Sequence, residues 1–271
     1  MKTAIRTQSA LQFFGYRYPP FADVVDVVEP YRSDAENVML DRIDALLRQG
    51  KSLAVCGEAG TGKSMFIKTI LTRLDTKEFR IAQIPYGGMK PSALMRDLCD
   101  EFDIDTGGRK NLLSRIMADF SSVKEKTFPV IIVDEAHIMQ HASFLDLCSL
   151  LHDTKKRTAA ASLLLVGQPV LKKMLELDIY APVRTRLSCI FSMPKLSIDN
   201  TVDFINYRLK IGGAPKDIFN DDAISCLAVD CKGNRRTLMN LATLCLEEAA
   251  RRGEKVVTAE IVTSMTTEYQ F

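Results

Sequence analysis

The sequence predicts an α/β fold, in which helices cover both faces of a parallel sheet and a small helical domain follows. Short apolar runs alternate with helix-like patterns as far as Pro194, which is typical of parallel strands joined by crossover helices. The apolar runs at 128–133 and 163–166 are too short for buried helices, which favours strands buried on both faces. After Pro194 the strand-like runs stop and only helical patterns remain.

The individual elements follow from local signals. Apolar residues recur at helical spacing after Ser33, which is a suitable N-cap, and Gly50 ends that helix. Strands are predicted at 52–56, 79–85, 128–133, 163–166 and 188–193. Further helices are predicted at 62–74, 91–102, 112–120, 198–210, 221–230, 236–251 and 258–267.

The chain divides into three predicted segments, which are an N-terminal arm at 1–32, an α/β core at 33–194 and a helical domain at 195–271. The arm carries the aromatic run 13–16, followed by Pro19 and Pro20. These prolines argue against a regular helix there. We expect the aromatic side chains to pack the arm onto the domain or onto a neighbouring subunit.

Charge and composition exclude several classes of protein. Lys and Arg number 36 and Asp and Glu number 34, so the formal net charge is only +2 and nucleic-acid binding would need a local patch. Hydrophobic residues make up 46% and charged residues 26%, which excludes a disordered chain, a collagen and a coiled coil.

The cysteines and the N-terminal residues indicate the cellular compartment of the protein. The seven cysteines lie among apolar neighbours without any C-x-x-C pair, which indicates reduced, buried thiols. The three histidines are not spaced against cysteine pairs, which disfavours zinc. The first ten residues lack an apolar signal core, and no run of about 18 apolar residues is present. The sequence therefore predicts a soluble cytoplasmic protein without a membrane contact.

The strongest motif is a complete G-x-x-x-x-G-K-[ST] pattern between a predicted strand and a predicted helix. Its glycines let backbone N–H groups converge on a phosphate, and the N-terminus of the following helix favours the same anion. Lys63 adds a cation near the β- and γ-phosphates, and the Ser64 hydroxyl suits Mg²⁺. A glycine-rich turn with a chance Lys-Ser pair is the alternative. The predicted nucleotide-binding residues of this segment are Gly57, Glu58, Ala59, Gly60, Thr61, Gly62, Lys63, Ser64 and Met65.

Two carboxylates follow the apolar run 130–133 and are expected at the carboxyl edge of the sheet, beside the phosphate loop. Asp134 can hold Mg²⁺, and Glu135 can orient and polarise the attacking water. A strand that ends in a solvated acidic turn is the alternative. His137 completes the letters D-E-A-H, which also occur in helicases. His137 and His141 have the i, i+4 spacing of metal ligands on a helix, but a solvated or core-edge pair is favoured because no third ligand is evident.

Three weaker signals concern residues that could contact the phosphates. Gln168 ends the next predicted strand, where its side chain could meet the γ-phosphate or the attacking water; a plain turn is the alternative. Arg184 and Arg186 precede the last strand, and an arginine there could stabilise a transferring phosphoryl group of a neighbouring subunit. Arg235 and Arg236 begin a helix of the small domain. Exposed surface arginines are the alternative for both pairs.

The order of these motifs resembles the AAA+ ATPases over nearly the whole chain. More narrowly, the chain resembles the branch of ExeA-type secretion ATPases and of transposition ATPases such as the phage Mu B, TnsC, TniB and IstB proteins. The narrower resemblance is carried by residues 13–15 with 19–21, 133–136, 166–169 and 233–236.

The resemblance implies a role for each motif. Lys63 and Ser64 belong to the Walker A loop, and Asp134 and Glu135 form the Walker B motif. Gln168 takes the sensor 1 position. Many AAA+ proteins have Asn there, so the residue type at this position departs from the usual pattern.

The arginines and the cofactors complete what the resemblance implies. Arg184 or Arg186 is the arginine finger, and Arg235 or Arg236 is the sensor 2 residue. ATP and Mg²⁺ are the implied substrate and cofactor. Hydrolysis is completed in trans between subunits of a homo-oligomeric ring or helical filament.

The chain ends at Phe271, just after the predicted helical domain, and this end favours the transposition branch over the secretion branch. The expected function is therefore an ATPase that assembles on double-stranded DNA through sequence-tolerant backbone contacts. It would recruit or activate a transposase, together with a further targeting protein. An ExeA-like secretion or pilus-assembly ATPase without a DNA role is the alternative, and a loader or helicase-like motor is a third possibility.

A local excess of positive charge is compatible with the DNA role. Ten basic and five acidic residues lie between Leu151 and Lys210. Basic side chains that line a ring or filament would meet phosphates and give salt-sensitive binding. Solvated helix ends are an equally good interpretation of the same residues. The predicted DNA-binding residues are Lys155, Lys156, Arg157, Lys172 and Lys173.

Overall fold

The computed structural model describes residues 9–23, 29–107, 111–121, 127–153 and 156–269. The chain forms two compact units. The α/β unit contains Asp34–Ala59 and Lys63–Met193. The helical unit contains the described residues up to Ser33, the segment Gly60–Gly62, and the described residues from Pro194 onward.

The helices and strands are numbered along the chain. The helices are α1 (Ala10–Phe14), α2 (Asp34–Arg48), α3 (Lys63–Arg73), α4 (Pro91–Glu101), α5 (Leu112–Phe120), α6 (His141–Leu150), α7 (Pro169–Glu176), α8 (Ala181–Arg184), α9 (Ile198–Gly212), α10 (Asp221–Cys231), α11 (Arg235–Arg252) and α12 (Ala259–Tyr269). The strands are β1 (Ser52–Cys56), β2 (Phe79–Pro85), β3 (Phe128–Asp134), β4 (His152–Asp153), β5 (Thr158–Ala159), β6 (Ser162–Gly167) and β7 (Leu187–Ser192). Short 3₁₀ turns lie at Ala136–Ile138, Asp178–Tyr180 and Lys216–Ile218.

A five-stranded parallel sheet forms the centre of the α/β unit, in the order β2-β3-β6-β1-β7. The register pairs Pro85 with Asp134, and it pairs Cys56 with Gly167 and Ser192. The carboxyl ends of all five strands therefore meet at one edge of the sheet. The predicted α/β fold with a parallel sheet covered by helices is confirmed.

The two faces of the sheet bury different side chains of the same strands. Leu53 and Val55 of β1 face a cluster that includes Leu40 of α2 and Ile67 of α3. Ala54 of β1 faces the other cluster, which contains residues of α4, α5, α6 and α7. This alternation follows from the period of two along a strand, and it explains why β1 and β6 are buried at every position.

The helical unit has a core of its own, to which the N-terminal arm contributes. Ala10, Tyr16 and Phe21 are buried there with the apolar faces of α9, α10, α11 and α12. Arg208 of α9 is also buried, and it donates hydrogen bonds to the carbonyl oxygens of Pro20 (2.6 Å) and Ala22 (2.8 Å). The arm between residues 9 and 23 is therefore part of this unit. The short helix α1 lies within the segment that the sequence predicted to be irregular, ahead of both prolines.

The elements of the α/β unit that were not predicted are the helices α6, α7 and α8, the antiparallel hairpin β4–β5, and the two short 3₁₀ turns. The structure also separates His137 from His141, because the former lies in the 3₁₀ turn and the latter begins α6. The i, i+4 spacing of these two histidines is therefore not a spacing along one helix. Within the described ranges, no helix combines the length and apolar composition needed to cross a membrane.

All seven cysteines are free thiols. Five are buried, whereas Cys189 and Cys226 are partly exposed. Burial raises the pKa of Cys231 and of Cys245 to about 12, so these two remain protonated and unreactive at neutral pH.

Candidate nucleotide-binding site

The phosphate loop joins the carboxyl end of β1 to the start of α3. Gly57 donates a backbone hydrogen bond of 3.0 Å to the carbonyl oxygen of Gly167, which ties the loop to the end of β6. Gly60 and Gly62 have φ values of +80° and +100°, which side-chain-bearing residues rarely adopt. The glycines thus permit the tight path that turns the chain into α3.

Lys63 is the first residue of α3 and is buried, with 7% of its surface exposed. Its Nζ atom donates hydrogen bonds of 3.0 Å to the carbonyl oxygens of Gly57 and Glu58. The ammonium group therefore lies inside the curve of the loop, where a β-phosphate would meet it. Ser64 and Met65 follow on the exposed side of the same helical turn.

Asp134 ends β3 at the same sheet edge. Its Oδ1 atom accepts a hydrogen bond of 2.8 Å from the backbone N–H of Glu135. Burial raises the pKa of the Asp134 carboxyl group, while the N–H of Glu135 and the charge of Lys63 act in the opposite direction. A bound cation would offset the cost of keeping this half-buried carboxylate ionised.

Glu135 and His137 form a compact pair after β3. Glu135 adopts a left-handed conformation with φ +53°, and the 3₁₀ turn Ala136–Ile138 follows it. The Oε2 atom of Glu135 lies 3.2 Å from Nδ1 of His137. The same Nδ1 atom lies 3.5 Å from the backbone nitrogen of Gln168, the residue that precedes α7. Gln168 is partly exposed at the end of β6.

The residues at this edge fit Mg²⁺ bound together with a phosphate. Mg²⁺ prefers oxygen ligands and is usually held by one or two carboxylates, substrate phosphates and water. Asp134 would supply the carboxylate and Ser64 the hydroxyl, and the buried ammonium of Lys63 would offset phosphate charge. No group of three or more His, Cys, Asp or Glu side chains in the described part of the chain is arranged to hold a metal ion by itself.

The structure distinguishes the two arginines that precede β7. Arg184 is partly buried, and its Nη1 atom donates hydrogen bonds of 2.9 Å to the carbonyl oxygens of Leu175 and Glu176. Arg186 is exposed and donates to the carbonyl oxygen of Pro182 at 2.8 Å. Arg186 is therefore the more accessible of the pair, whereas Arg184 caps the carboxyl end of α7.

The two arginines of the helical unit also differ. Arg235 is buried, its Nη1 atom donates to the carbonyl oxygen of Thr61, and its guanidinium lies 5.9 Å from the ring centre of Phe204. Arg236 has an exposed side chain, and only its backbone N–H bonds to Gly60, at 3.2 Å. Of these two, Arg235 is the one whose side chain contacts the phosphate-loop sequence.

The predicted DNA-binding residues fall into two separated groups. Lys156 and Arg157 are exposed in the hairpin that precedes β6, and Lys156 donates from Nζ to Ser121 O at 2.9 Å. Lys172 and Lys173 are exposed on α7, which follows the opposite end of β6. One chain therefore does not bring the two groups together. Lys155 lies outside the described residues.

Sequence reasoning missed the link between Glu135, His137 and Gln168. It considered His137 as the last letter of D-E-A-H and as one of two histidines at i, i+4, but not as a partner of Glu135. Glu135 and His137 are only two residues apart, and this spacing could have suggested a contact between their side chains. The contact depends, however, on the left-handed backbone of Glu135.

Parts of the chain are similar to a described family and to a curated protein. Residues 46–175 match the family model described as AAA domain. The chain is 26% identical over 256 residues to General secretion pathway protein A of Aeromonas hydrophila, a match that covers 92% of this chain and 47% of that protein. The chain thus spans about half the length of this curated relative.

Two solved structures have a similar fold. Cdc6p from Pyrobaculum aerophilum superimposes with a TM-score of 0.70 at 17% identity, covering 92% of this chain and 70% of that chain. The fold is that of an AAA+ P-loop ATPase. A Drosophila ORC chain, in a structure described as bound to DNA, gives a TM-score of 0.70 at 16% identity and covers 100% of this chain and 68% of that chain.

Proposed function

We propose that this protein binds ATP with Mg²⁺ at the phosphate loop and hydrolyses it to ADP and phosphate. The observation that carries the proposal is that buried Lys63 follows β1 and half-buried Asp134 ends β3, at the same edge of the sheet. The charge of Lys63 also acts to lower the pKa of Asp134, which supports a site that takes a phosphate together with a cation.

Each residue has a distinct task in this reaction. Loop N–H groups, the start of α3 and Lys63 hold the phosphates. Asp134 and Ser64 hold Mg²⁺, which when bound neutralises developing charge on the phosphate oxygens. Glu135, whose side chain is 44% exposed, orients and polarises the attacking water. Gln168 contacts the γ-phosphate or that water from the end of β6.

The neighbouring subunit completes the proposed site. Arg186 is exposed on the segment before β7 and is suited to reach a phosphoryl group in another chain. Arg184 would have to give up two carbonyl partners to do the same. Arg186 is therefore our first choice for the finger, with Arg184 as the second, and the proposal includes a ring or filament of identical chains.

Magnesium-dependent hydrolysis tests the ATPase proposal directly. Phosphate release from ATP is measured for the wild-type chain with Mg²⁺ and with excess chelator, and then for Asp134→Asn. We expect chelation and Asp134→Asn each to lower turnover by at least about 100-fold. Asp100→Asn, which changes an exposed carboxylate of α4, is the matched control and retains turnover. Metal-independent turnover would contradict the proposal.

We further propose that the ATP-bound protein assembles on double-stranded DNA in the cytoplasm and recruits or activates a transposase, together with a further targeting protein. The exposed Lys156, Arg157, Lys172 and Lys173 support backbone contacts, and their separation within one chain suits a surface continued by neighbouring subunits. Electron microscopy with duplex DNA and a slowly hydrolysed ATP analogue tests this. We expect rings or filaments on the DNA, and dispersed monomers on bare DNA at low salt would contradict it.

A secretion or pilus-assembly ATPase without a DNA role is the second candidate. The similarity to General secretion pathway protein A, which covers 92% of this chain, favours it. Both candidates share the nucleotide site, so ATP hydrolysis does not separate them. An ATP turnover rate that increases on addition of duplex DNA, and loses that increase at high salt, supports the DNA role. A turnover rate that is the same with and without DNA supports the secretion role.

A further inference from the structure

His137 lies between two groups that compete for one of its ring nitrogens. Its Nδ1 atom lies 3.2 Å from Oε2 of Glu135 and 3.5 Å from the backbone nitrogen of Gln168. An ionised carboxylate can only accept a hydrogen bond, and a backbone N–H can only donate one. Nδ1 therefore bonds to Glu135 when it carries a proton and to Gln168 when it does not.

The backbone holds the ring in this position. Glu135 has φ +53°, and the backbone N–H of Ile138 donates a hydrogen bond of 3.1 Å to the carbonyl oxygen of Glu135. The resulting turn brings the imidazole ring of His137 close to the Glu135 carboxylate. The end of β6 lies close to the same turn. A Cβ atom on Gly167 would lie 3.2 Å from the backbone nitrogen of His137, and a larger residue there would push the turn away.

The two side chains of the pair differ in exposure. His137 is 11% exposed at its side chain, whereas Glu135 is 44% exposed. The ring is thus largely enclosed by the protein, whereas nearly half of the Glu135 side chain faces solvent. This is the arrangement expected of a residue that orients another one rather than of a residue that meets the substrate itself.

We propose that His137 is a positioning residue for Glu135 and couples it to the end of β6. With the proton on Nδ1, the ring holds the Glu135 carboxylate in the orientation that polarises water. With the proton on Nε2, Nδ1 accepts the N–H of Gln168 and the carboxylate is released. Movement of Gln168 at the phosphate end of β6 thereby changes the orientation of Glu135. The inference rests on the proposed ATPase function.

Steady-state hydrolysis by the full chain separates positioning from binding. We expect His137→Leu, which keeps the volume of the side chain, to lower kcat about tenfold while KM for ATP stays within about twofold. His137→Asn offers an N–H and a carbonyl oxygen from one side chain and is expected to recover at least half of the lost rate. His141→Leu is the matched control and keeps wild-type kcat, because the Nε2 atom of His141 bonds to Ile179 O instead.

A double-mutant cycle shows whether His137 acts through Glu135. In single-turnover measurements, His137→Leu should slow the wild-type chain about tenfold but slow Glu135→Gln by less than about twofold. Equal slowing in both backgrounds, or wild-type kcat for His137→Leu, would overturn the inference while leaving the ATPase proposal intact. A wild-type chain that does not hydrolyse ATP would overturn both. Circular dichroism verifies that each variant is folded.

Discussion

The Nζ atom of Lys63 lies 3.0 Å from the carbonyl oxygen of Gly57, so the first residue of α3 reaches back across the loop to the residue that begins it. The lysine side chain thus bridges the two ends of the loop. Its positive charge lies near the start of α3, where backbone N–H groups also favour an anion. The shape of the loop and the proposed binding of phosphate therefore depend on the same side chain.

Lys63→Ala is expected to weaken ATP binding by about 10- to 100-fold, the range for removal of a charge-assisted hydrogen bond. Nucleotide-dependent assembly should weaken with it. Titration with a fluorescent ATP analogue measures the first effect, and light scattering measures the second. Lys68→Ala changes an exposed lysine of the same helix and should bind normally. Unchanged affinity of Lys63→Ala would remove the lysine from phosphate binding.

Glu135→Gln should bind ATP within about twofold of the wild type but hydrolyse it at least about 100-fold more slowly, because a neutral amide does not polarise water as a carboxylate does. Assemblies formed with ATP should then persist. Phosphate release and light scattering check both effects. Glu176→Gln alters an exposed carboxylate at the end of α7 and serves as the control. Wild-type hydrolysis by Glu135→Gln would exclude the proposed role.

Arg235→Ala should lower ATP affinity about tenfold, because it leaves the carbonyl oxygen of Thr61 without the Arg235 Nη1 donor. Arg236→Ala should have a smaller effect, since the exposed side chain is removed but the backbone bond to Gly60 stays. Binding titrations of the two variants side by side decide between them. A larger decrease for Arg236→Ala would favour Arg236 over Arg235 as the sensor 2 residue.

Reversal of charge tests the basic residues. Lys172→Glu with Lys173→Glu, and separately Lys156→Glu with Arg157→Glu, should each weaken duplex binding and reduce the dependence of the affinity on salt. For every phosphate that the protein no longer neutralises, the slope of log affinity against log salt becomes shallower by about 0.9. Fluorescence anisotropy over a salt series measures this. Unaltered slopes for both pairs would mean that these side chains do not meet DNA.

Glu248 gives the helical unit a pH-dependent contribution to stability. Hydrogen bonds from Arg251 and Arg252 hold its pKa at about 2, although desolvation of the carboxylate acts to raise it. The same group in the unfolded chain titrates at about pH 4.3, so the contribution is complete above about pH 4.3. It is lost as the pH falls through about 2.

Glu248→Gln should therefore lower the free energy of unfolding by about 0.5–1 kcal/mol at pH 7, a small effect because exposed arginines are screened by solvent. The difference from the wild type should shrink as the pH approaches 2. Urea unfolding followed by circular dichroism at several pH values measures it, with Glu247→Gln as the control. A difference that does not depend on pH would contradict the assignment.

Local signals were sufficient to predict most of the elements. The strand β1 at Ser52–Cys56 agrees with the prediction to the residue, because Gly50 and the phosphate-loop glycines bound its apolar run. The helix α7 was missed because Gly167 and Gln168 were interpreted as a turn, although Pro169 is well suited to the first position of a helix. The strand order could not be predicted, because it depends on contacts between segments distant in sequence.

The candidate site was predictable only in part. The motif around Lys63 and the position of Asp134 after a buried strand follow from the chain itself. The contact of His137 with Glu135 required a non-glycine residue at φ +53°, a conformation that sequence patterns do not predict. The separation of the two basic groups, in contrast, agrees with the predicted strand at 163–166, because the groups lie at opposite ends of β6.

The bonds from Arg208 to the carbonyl oxygens of Pro20 and Ala22 have a practical consequence for anyone shortening the protein. A version that starts at Asp34 would retain the complete sheet but would leave an enclosed guanidinium without these acceptors. Removing the partner of a buried charge costs about 3–5 kcal/mol, which is a large share of the stability of a small domain. Expression designs should therefore begin ahead of Ala10. Proteolytic loss of the arm would explain the precipitation of a sample.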